Sequence, residues 1–211
     1  DEVIEYNHIH HVMLLLDDGA GIFNAGTGSV IRYNLVHDVV GGKHKFGLGL
    51  YLDEFRTGVR LENNITYNTG STAMLLHNNY GHTIVNNIWA NGGKAQLSWT
   101  VFHGIHFGIR RAKWRPPLHT FQRNIVYWKD GCLSHNLDCN RWDLATKPEM
   151  IDYNLYWNAG AGHEVRMGLG HMGKPGVGHD TFADWQEMGL DAHSLVADPL
   201  FVDPDQGDFR L

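Results

Sequence analysis

One phrase returns six times along this chain: an apolar residue, two spacers, an asparagine and then another apolar residue. It reads Ile4-Glu5-Tyr6-Asn7, Ile31-Arg32-Tyr33-Asn34 and Leu61-Glu62-Asn63-Asn64. It continues as Ile84-Val85-Asn86-Asn87, Phe121-Gln122-Arg123-Asn124 and Ile151-Asp152-Tyr153-Asn154. The steps between asparagines are 27, 30, 23, 37 and 30 residues. A period of roughly 20 to 50 residues marks a repeat architecture, in which each unit buries its apolar face only by stacking on its neighbours. Residues far apart in sequence then become neighbours in space.

The segments that follow the asparagines are strand-like. Leu35-Val36-His37, Ile88-Trp89-Ala90 and Ile125-Val126-Tyr127-Trp128 are short, rich in β-branched and aromatic residues, and bounded by Gly, Asn and Asp. A second apolar run lies between phrases: Gly21-Ile22-Phe23, Gly49-Leu50-Tyr51-Leu52, Ala73-Met74-Leu75-Leu76 and Ala95-Gln96-Leu97. None of these sustains the i, i+3, i+4, i+7 spacing of a useful helix. Two or three short strands per repeat predict an all-β chain, a parallel β-helix solenoid whose rungs pair at about 4.8 Å. The side-chain amide of Asn offers donors and an acceptor, so asparagines at one corner of successive rungs can bond to one another and to the turn backbone. Asn also tolerates the left-handed conformation that tight turns demand. A structural role is therefore expected for all six.

The rungs are expected over 1–160, with a long insertion at about 100–119 carrying Arg110, Arg111, Lys113, Trp114 and Arg115 as a basic, aromatic loop. Residues 161–211 read as an irregular C-terminal region of the same domain. Within it, 163–179 is Gly- and His-rich and reads as a loop, and Asp180 is expected to cap one short helix that ends at Gly189. Ser194 to Phe201 reads as an extended tail. The chain opens in mid-phrase and no solenoid cap precedes Ile4, so we expect a piece of a longer protein.

A formal charge of −6 and a pI near 6.2 argue against nucleic acid and anionic membranes as partners. No apolar run has membrane-spanning length, and no leader-like segment opens the chain. Cys132 and Cys139 lack four-ligand zinc spacing and are expected as thiols. His8-Ile9-His10-His11 and His103-Gly104-Ile105-His106 come with no matching third ligand, so neither a metal nor a cofactor is expected.

The chemical signal is a pair of acidic clusters in consecutive repeats, Asp17-Asp18-Gly19-Ala20-Gly21-Ile22-Phe23 and Gly49-Leu50-Tyr51-Leu52-Asp53-Glu54. Aligning Gly21-Ile22-Phe23 with Gly49-Leu50-Tyr51 and with Ala73 to His77 stacks His77 over Asp53. Leu50 and Leu52 then point inward, and Tyr51 and Asp53 outward. Acids in turns are commonly only turn residues. An outward group of Tyr51, Asp53 and His77 faced by Asp18 would also suit carbohydrate hydrolysis, where one carboxyl protonates the leaving oxygen and the other attacks or activates water. By straight count Asp18 lies seven residues from Asp53 along the rung, roughly 23 Å of extended chain. The turn at Asp17-Asp18 must therefore fold back over the strand, which Gly19 and Gly21 permit.

These motifs, with Asn7 to Val12, Val30 to Val39, Phe121 to Trp128 and Ser194 to Phe201, resemble the right-handed parallel β-helix (pectin-lyase-like) proteins of bacterial polysaccharide degradation. They are most similar to the β-helix glycoside hydrolases that include α-L-fucosidase and xylanase activities. The resemblance covers most of the chain. It implies a secreted, periplasmic or cell-surface enzyme with a carbohydrate substrate, in which Asp18 and Asp53 form the catalytic pair. Asp17, Tyr51, Glu54, His77, Asn79 and Gln96 would flank the substrate. The chain departs from the family pattern at His77-Asn78-Asn79-Tyr80-Gly81, where a second His is Asn79, and at Gln96-Leu97-Ser98-Trp99. Retention and inversion both stay open. A polysaccharide lyase on the same fold is the alternative, with Lys43, Lys45 or Arg56 neutralising a uronate. A non-catalytic carbohydrate-binding coil is a third.

Overall fold

The computed structural model describes residues 2–23, 25–101, 119–138, 150–160, 165–168 and 179–211. The chain coils into a parallel β-helix with three sheets. The first holds β1 (Val3–Glu5), β4 (Val30–Arg32), β7 (Arg60–Glu62), β10 (Thr83–Val85), β13 (Thr120–Gln122) and β16 (Ile151–Asp152). The second holds β2 (His8–Val12), β5 (Leu35–Val39), β8 (Ile65–Thr69), β11 (Ile88–Gly92), β14 (Ile125–Trp128), β17 (Leu155–Asn158) and β20 (Leu195–Val196). The third holds β3 (Gly19–Phe23), β6 (Gly47–Leu52), β9 (Thr72–Asn79), β12 (Ala95–Val101) and β15 (Cys132–Asp138).

The repeated phrase supplies the register. Its leading apolar residue pairs from rung to rung, Ile4 with Ile31, Ile31 with Leu61, Leu61 with Ile84, Ile84 with Phe121 and Phe121 with Ile151. From Ile31 onward these side chains are buried in one continuous core with Val36, Trp89, Val126 and Tyr156 of the second sheet and Leu50, Leu52, Met74 and Leu97 of the third. At β6 the coil is tight: a Cβ on Gly49 would stand 2.0 Å from a Thr66 methyl and 2.3 Å from the Ala73 carbonyl oxygen.

The asparagines form a ladder. Each Oδ1 accepts both the backbone N–H and the side-chain amide of the asparagine one rung earlier, from Asn7 to Asn34 (3.1 and 2.9 Å) through to Asn124 and Asn154 (3.0 and 3.3 Å). Their amides also donate to strand carbonyls, as Asn87 does to Leu61 and Val85. Yet none of the six takes the left-handed conformation. The residue just before each does: Tyr6, Tyr33, Asn63, Asn86, Arg123 and Tyr153, with φ between 54° and 59°. The corner is turned one residue early, which frees the Asn backbone to join the ladder.

A second column stands just before the first sheet. Val59 N–H donates to His82 Nδ1 and His82 N–H to His119 Nδ1, with the two buried rings stacked 5.0 Å apart. Burial pulls the His82 ring down to about 4 and His119 well below the usual imidazole value.

The C-terminal region departs from the expectation in three places. Part of the segment read as a loop is a small antiparallel pair, β18 (Arg166–Gly168) with β19 (His179–Thr181). The helix α1 is shorter, Phe182–Glu187, and is capped by Thr181 rather than Asp180. Thr181 and Asp184 satisfy each other's backbone N–H groups in a reciprocal capping box. The tail is partly regular, since β20 adds a strand to the second sheet. There the ladder ends: Asn154 donates to Ser194 Oγ (2.7 Å) and to the buried Asp191 carboxylate (2.9 Å). Trp185, Tyr156 and Ser194 also donate to Asp191, and burial pushes its carboxyl up against these donors. Trp185 and Leu190 join the main core, and Phe201 and Phe209 pack with Ala90 and Tyr127. The basic loop at Arg110, Arg111, Lys113, Trp114 and Arg115, and Cys139, lie outside the described residues. Among the described residues no helix is long and apolar enough to cross a membrane.

Candidate functional site

The third sheet carries the acids in the expected register. Ile22 pairs with Leu50 and Leu50 with Met74, while Leu52 pairs with Leu76. Asp53, just after β6, and His77, within β9, therefore stand one rung apart, and His77 Nδ1 lies 2.8 Å from Asp53 Oδ1. The Asn78 amide stands 3.3 Å from His77 Nε2. An amide N–H can only donate, so the network assigns the Nε2 lone pair to Asn78 and the Nδ1 proton to Asp53. The same Asp53 oxygen accepts the Glu54 backbone N–H at 3.0 Å. Phe55 follows in the left-handed region, φ 61°, and turns the chain away.

Tyr51 differs from the expectation. It is on the sheet side away from the main core, as alternation requires, but it is buried, with its ring against the edge of Phe23 at 5.0 Å. Burial, then the charges of Asp53 and Asp18, raise its hydroxyl far above the usual phenol value. It stays a neutral phenol. The shared influence matters, because Asp18 and Asp53 belong to successive rungs and both act on one hydroxyl. Asp18 is exposed, takes a left-handed φ of 61°, and donates its N–H to the Phe46 carbonyl at 3.0 Å.

The other expected residues divide. Glu54 is exposed beside Asp53 and joins the cluster. Asp17 instead anchors a loop. Its carboxylate accepts the N–H groups of Phe46 (2.9 Å) and His44 (3.1 Å), which holds it below the ordinary carboxylate value. This fixes the loop bearing the exposed Lys43 and Lys45 just ahead of β6. Asn79 is fully buried and spent on backbone, donating to the Leu52 carbonyl (2.6 Å) and accepting from Arg56 N–H (2.8 Å). It braces the turn that presents Asp53. Gln96 is equally buried, bridging the Gly92 N–H (2.7 Å) and the Cys132 carbonyl (3.3 Å). Neither amide is presented to a ligand.

No metal was expected from the sequence, yet one ligand atom each from Asp53, Glu54 and His77 lie within 4.8 Å of one another. Three such ligands with open positions could hold a divalent cation, and a mixed oxygen and imidazole set suits manganese or zinc. The spacing of Asp53 and Glu54 to His77 becomes a ligand spacing only once the rung length is known. A separate cleft of about 400 Å³, lined by Tyr127, Trp157, Phe201 and Asp198 among others, opens on the second sheet and contains none of these groups. No family model, no curated protein and no solved structure matches this chain.

Proposed function

We propose that this protein is a glycoside hydrolase acting on plant or algal polysaccharide or its oligosaccharides, with Asp18 and Asp53 as the carboxyl pair. The observation that carries the reading is the contact of His77 Nδ1 with Asp53 Oδ1 at 2.8 Å, which orients one carboxyl. Asp18 comes from the preceding rung, and its charge, after burial and the charge of Asp53, also bears on the Tyr51 hydroxyl. A two-carboxylate mechanism needs the two carboxyls about 5–10 Å apart. Asp18, on the exposed side, is open to a leaving-group oxygen. A polymeric substrate places the enzyme outside the cytoplasm, in a secreted, periplasmic or cell-surface setting.

The test is reducing-end release from a panel of plant and algal polysaccharides. Asp18→Asn and Asp53→Asn should each lower turnover by at least about a thousandfold. Rates near wild type in either variant would remove that residue from the pair.

One observation favours a second reading, a polysaccharide lyase. The Asp53, Glu54 and His77 group could seat a cation beside a uronate carboxylate, and Lys43 and Lys45 are exposed in the adjoining loop. Ultraviolet-absorbing unsaturated product, lost on adding a chelator, would select the lyase. Saturated product unaffected by chelator would select the hydrolase.

A further inference from the structure

The His8-Ile9-His10-His11 motif finds its missing partner on the next rung. His8 and His10 stand two apart on β2 and so project from the same face. His10 pairs with His37 of β5, and Val12 with Val39. The residues skipped between these pairs, His11 and Asp38, both take φ 53°. His11 and Asp38 thus stand at the same place on successive rungs, with His11 exposed beside His10 and Asp38 beside His37. The result is four imidazoles and a carboxylate on two adjacent strands of the second sheet, apart from the acid cluster of the third.

The ring centres of three of these histidines are spaced as around a metal, while the His10 and His37 planes, 7° apart, stack and do not converge on one point. The His8 and His10 ring centres are 4.6 Å apart, those of His8 and His37 5.0 Å, and those of His10 and His37 5.2 Å. With a zinc–nitrogen bond of about 2.0–2.1 Å, ring centres sit about 3.2 Å from the metal, which spaces them about 5.2 Å apart at tetrahedral angles. His8 Nε2 and His37 Nε2 face each other at 2.7 Å, sharing a proton whose place a cation would take. As the side chains stand, Asp53, Glu54 and His77 are the group whose three ligand atoms come within 4.8 Å, so His10 must rotate about χ2 to complete the triangle. That torsion is soft.

His37 is also oriented from behind. Its Nδ1 lies 2.8 Å from Asp38 Oδ2, and the other Asp38 oxygen accepts from the Asn68 amide. Donation to Asp38 fixes the Nδ1–H tautomer and leaves the Nε2 lone pair aimed at His8. A scatter of surface histidines has no need of such a relay.

We propose that His8, His10 and His37 bind a divalent transition cation, zinc above others, with Asp38 positioning His37. An all-imidazole set suits zinc, copper and nickel over calcium or magnesium. The bound ion would tie the first two described rungs together.

The test is calorimetric titration of zinc chloride into the wild-type chain and into variants, with thermal unfolding read in parallel. His37→Ala should remove one site per chain and the accompanying rise in Tm. His8→Ala and His10→Ala should weaken it by at least about tenfold, and Asp38→Asn by about 10–100-fold. The site should survive His77→Ala. Failure of the wild type to bind zinc saturably would overturn the proposal. So would unchanged affinity in both His37→Ala and Asp38→Asn, the mark of adventitious binding to exposed imidazoles. Loss of the site in His77→Ala in place of His37→Ala would move the ion to the acid cluster. Should His37→Ala unfold, His8→Ala and Asp38→Asn decide between the same outcomes.

Discussion

The asparagine ladder and the acid cluster are built on the same rungs and in opposite ways. In the ladder one residue type recurs at every step, and from Asn34 onward each amide is buried and saturated by copies of itself and by strand carbonyls. In the cluster nothing recurs: Phe23, Tyr51 and Leu75 occupy one column, and Asp53 is followed by His77. Repetition satisfies groups that want an identical partner. Acid–base chemistry needs unlike partners, so it sits where the register persists and the residue identity changes. The ladder should therefore carry stability and no turnover, and the cluster turnover and little stability.

The sharpest way to break that contrast is Asn87→Ala. It deletes three donated and two accepted hydrogen bonds at a buried position. Buried groups left without a partner, foremost the Asn64 backbone N–H, cost about 1–3 kcal/mol each, so a loss of about 4 kcal/mol is expected by chemical denaturation. A loss under about 1 kcal/mol would show that the ladder is ornamental. The histidine column comes next. His82 titrates near 4 when folded and near 6.5 in the unfolded chain, so the folded state binds fewer protons between those values. Its contribution is complete above pH 6.5 and is lost as the pH falls to 4, about 3 kcal/mol in all. Asp191, with its raised carboxyl, acts with the opposite sign, so the quantity to measure is the acid sensitivity of wild type minus that of His82→Gln. Equal sensitivity in the two would contradict the assignment. Thr181→Ala, which removes one half of a capping box outside the ladder, should cost about 1 kcal/mol. Smallest is Asp53→Asn, whose partly exposed hydrogen bond with His77 should shift stability by less than about 1 kcal/mol while turnover collapses. A large fall in stability there would merge the two regions into one.

The coil and its register were legible in the sequence because both rest on periodicity: Asn to Asn sets the rung, and counting from it places His77 on Asp53. What stayed hidden depends on backbone detail that residue types do not encode. Three Tyr, two Asn and one Arg (Tyr6, Tyr33, Tyr153, Asn63, Asn86 and Arg123) take the left-handed corner, so no single residue type marks it. The left-handed turns at His11 and Asp38 are equally silent, and they set Asp38 beside the His37 ring. Asn79 and Gln96 read as binding residues only through the family resemblance. Their burial follows from backbone groups needing partners where the turns close. Tyr51 alternates outward as counted, and Phe23 one rung away helps to close over it, a contact visible only once the rungs are stacked.

The ladder also has a direction. From Asn7 to Asn124 one side-chain N–H points to the asparagine of the following rung, and from Asn34 to Asn154 each side-chain oxygen accepts from the preceding one. The small dipoles add head to tail, as peptide dipoles do in a helix, and each bond polarises the next. The positive end arrives at Asp191, where a carboxylate sits in the interior with the last ladder amide among its donors. The coil thus behaves as an electrically polar rod with an anion seated at its positive pole. Adding or deleting a whole rung would lengthen or shorten that rod without reversing it.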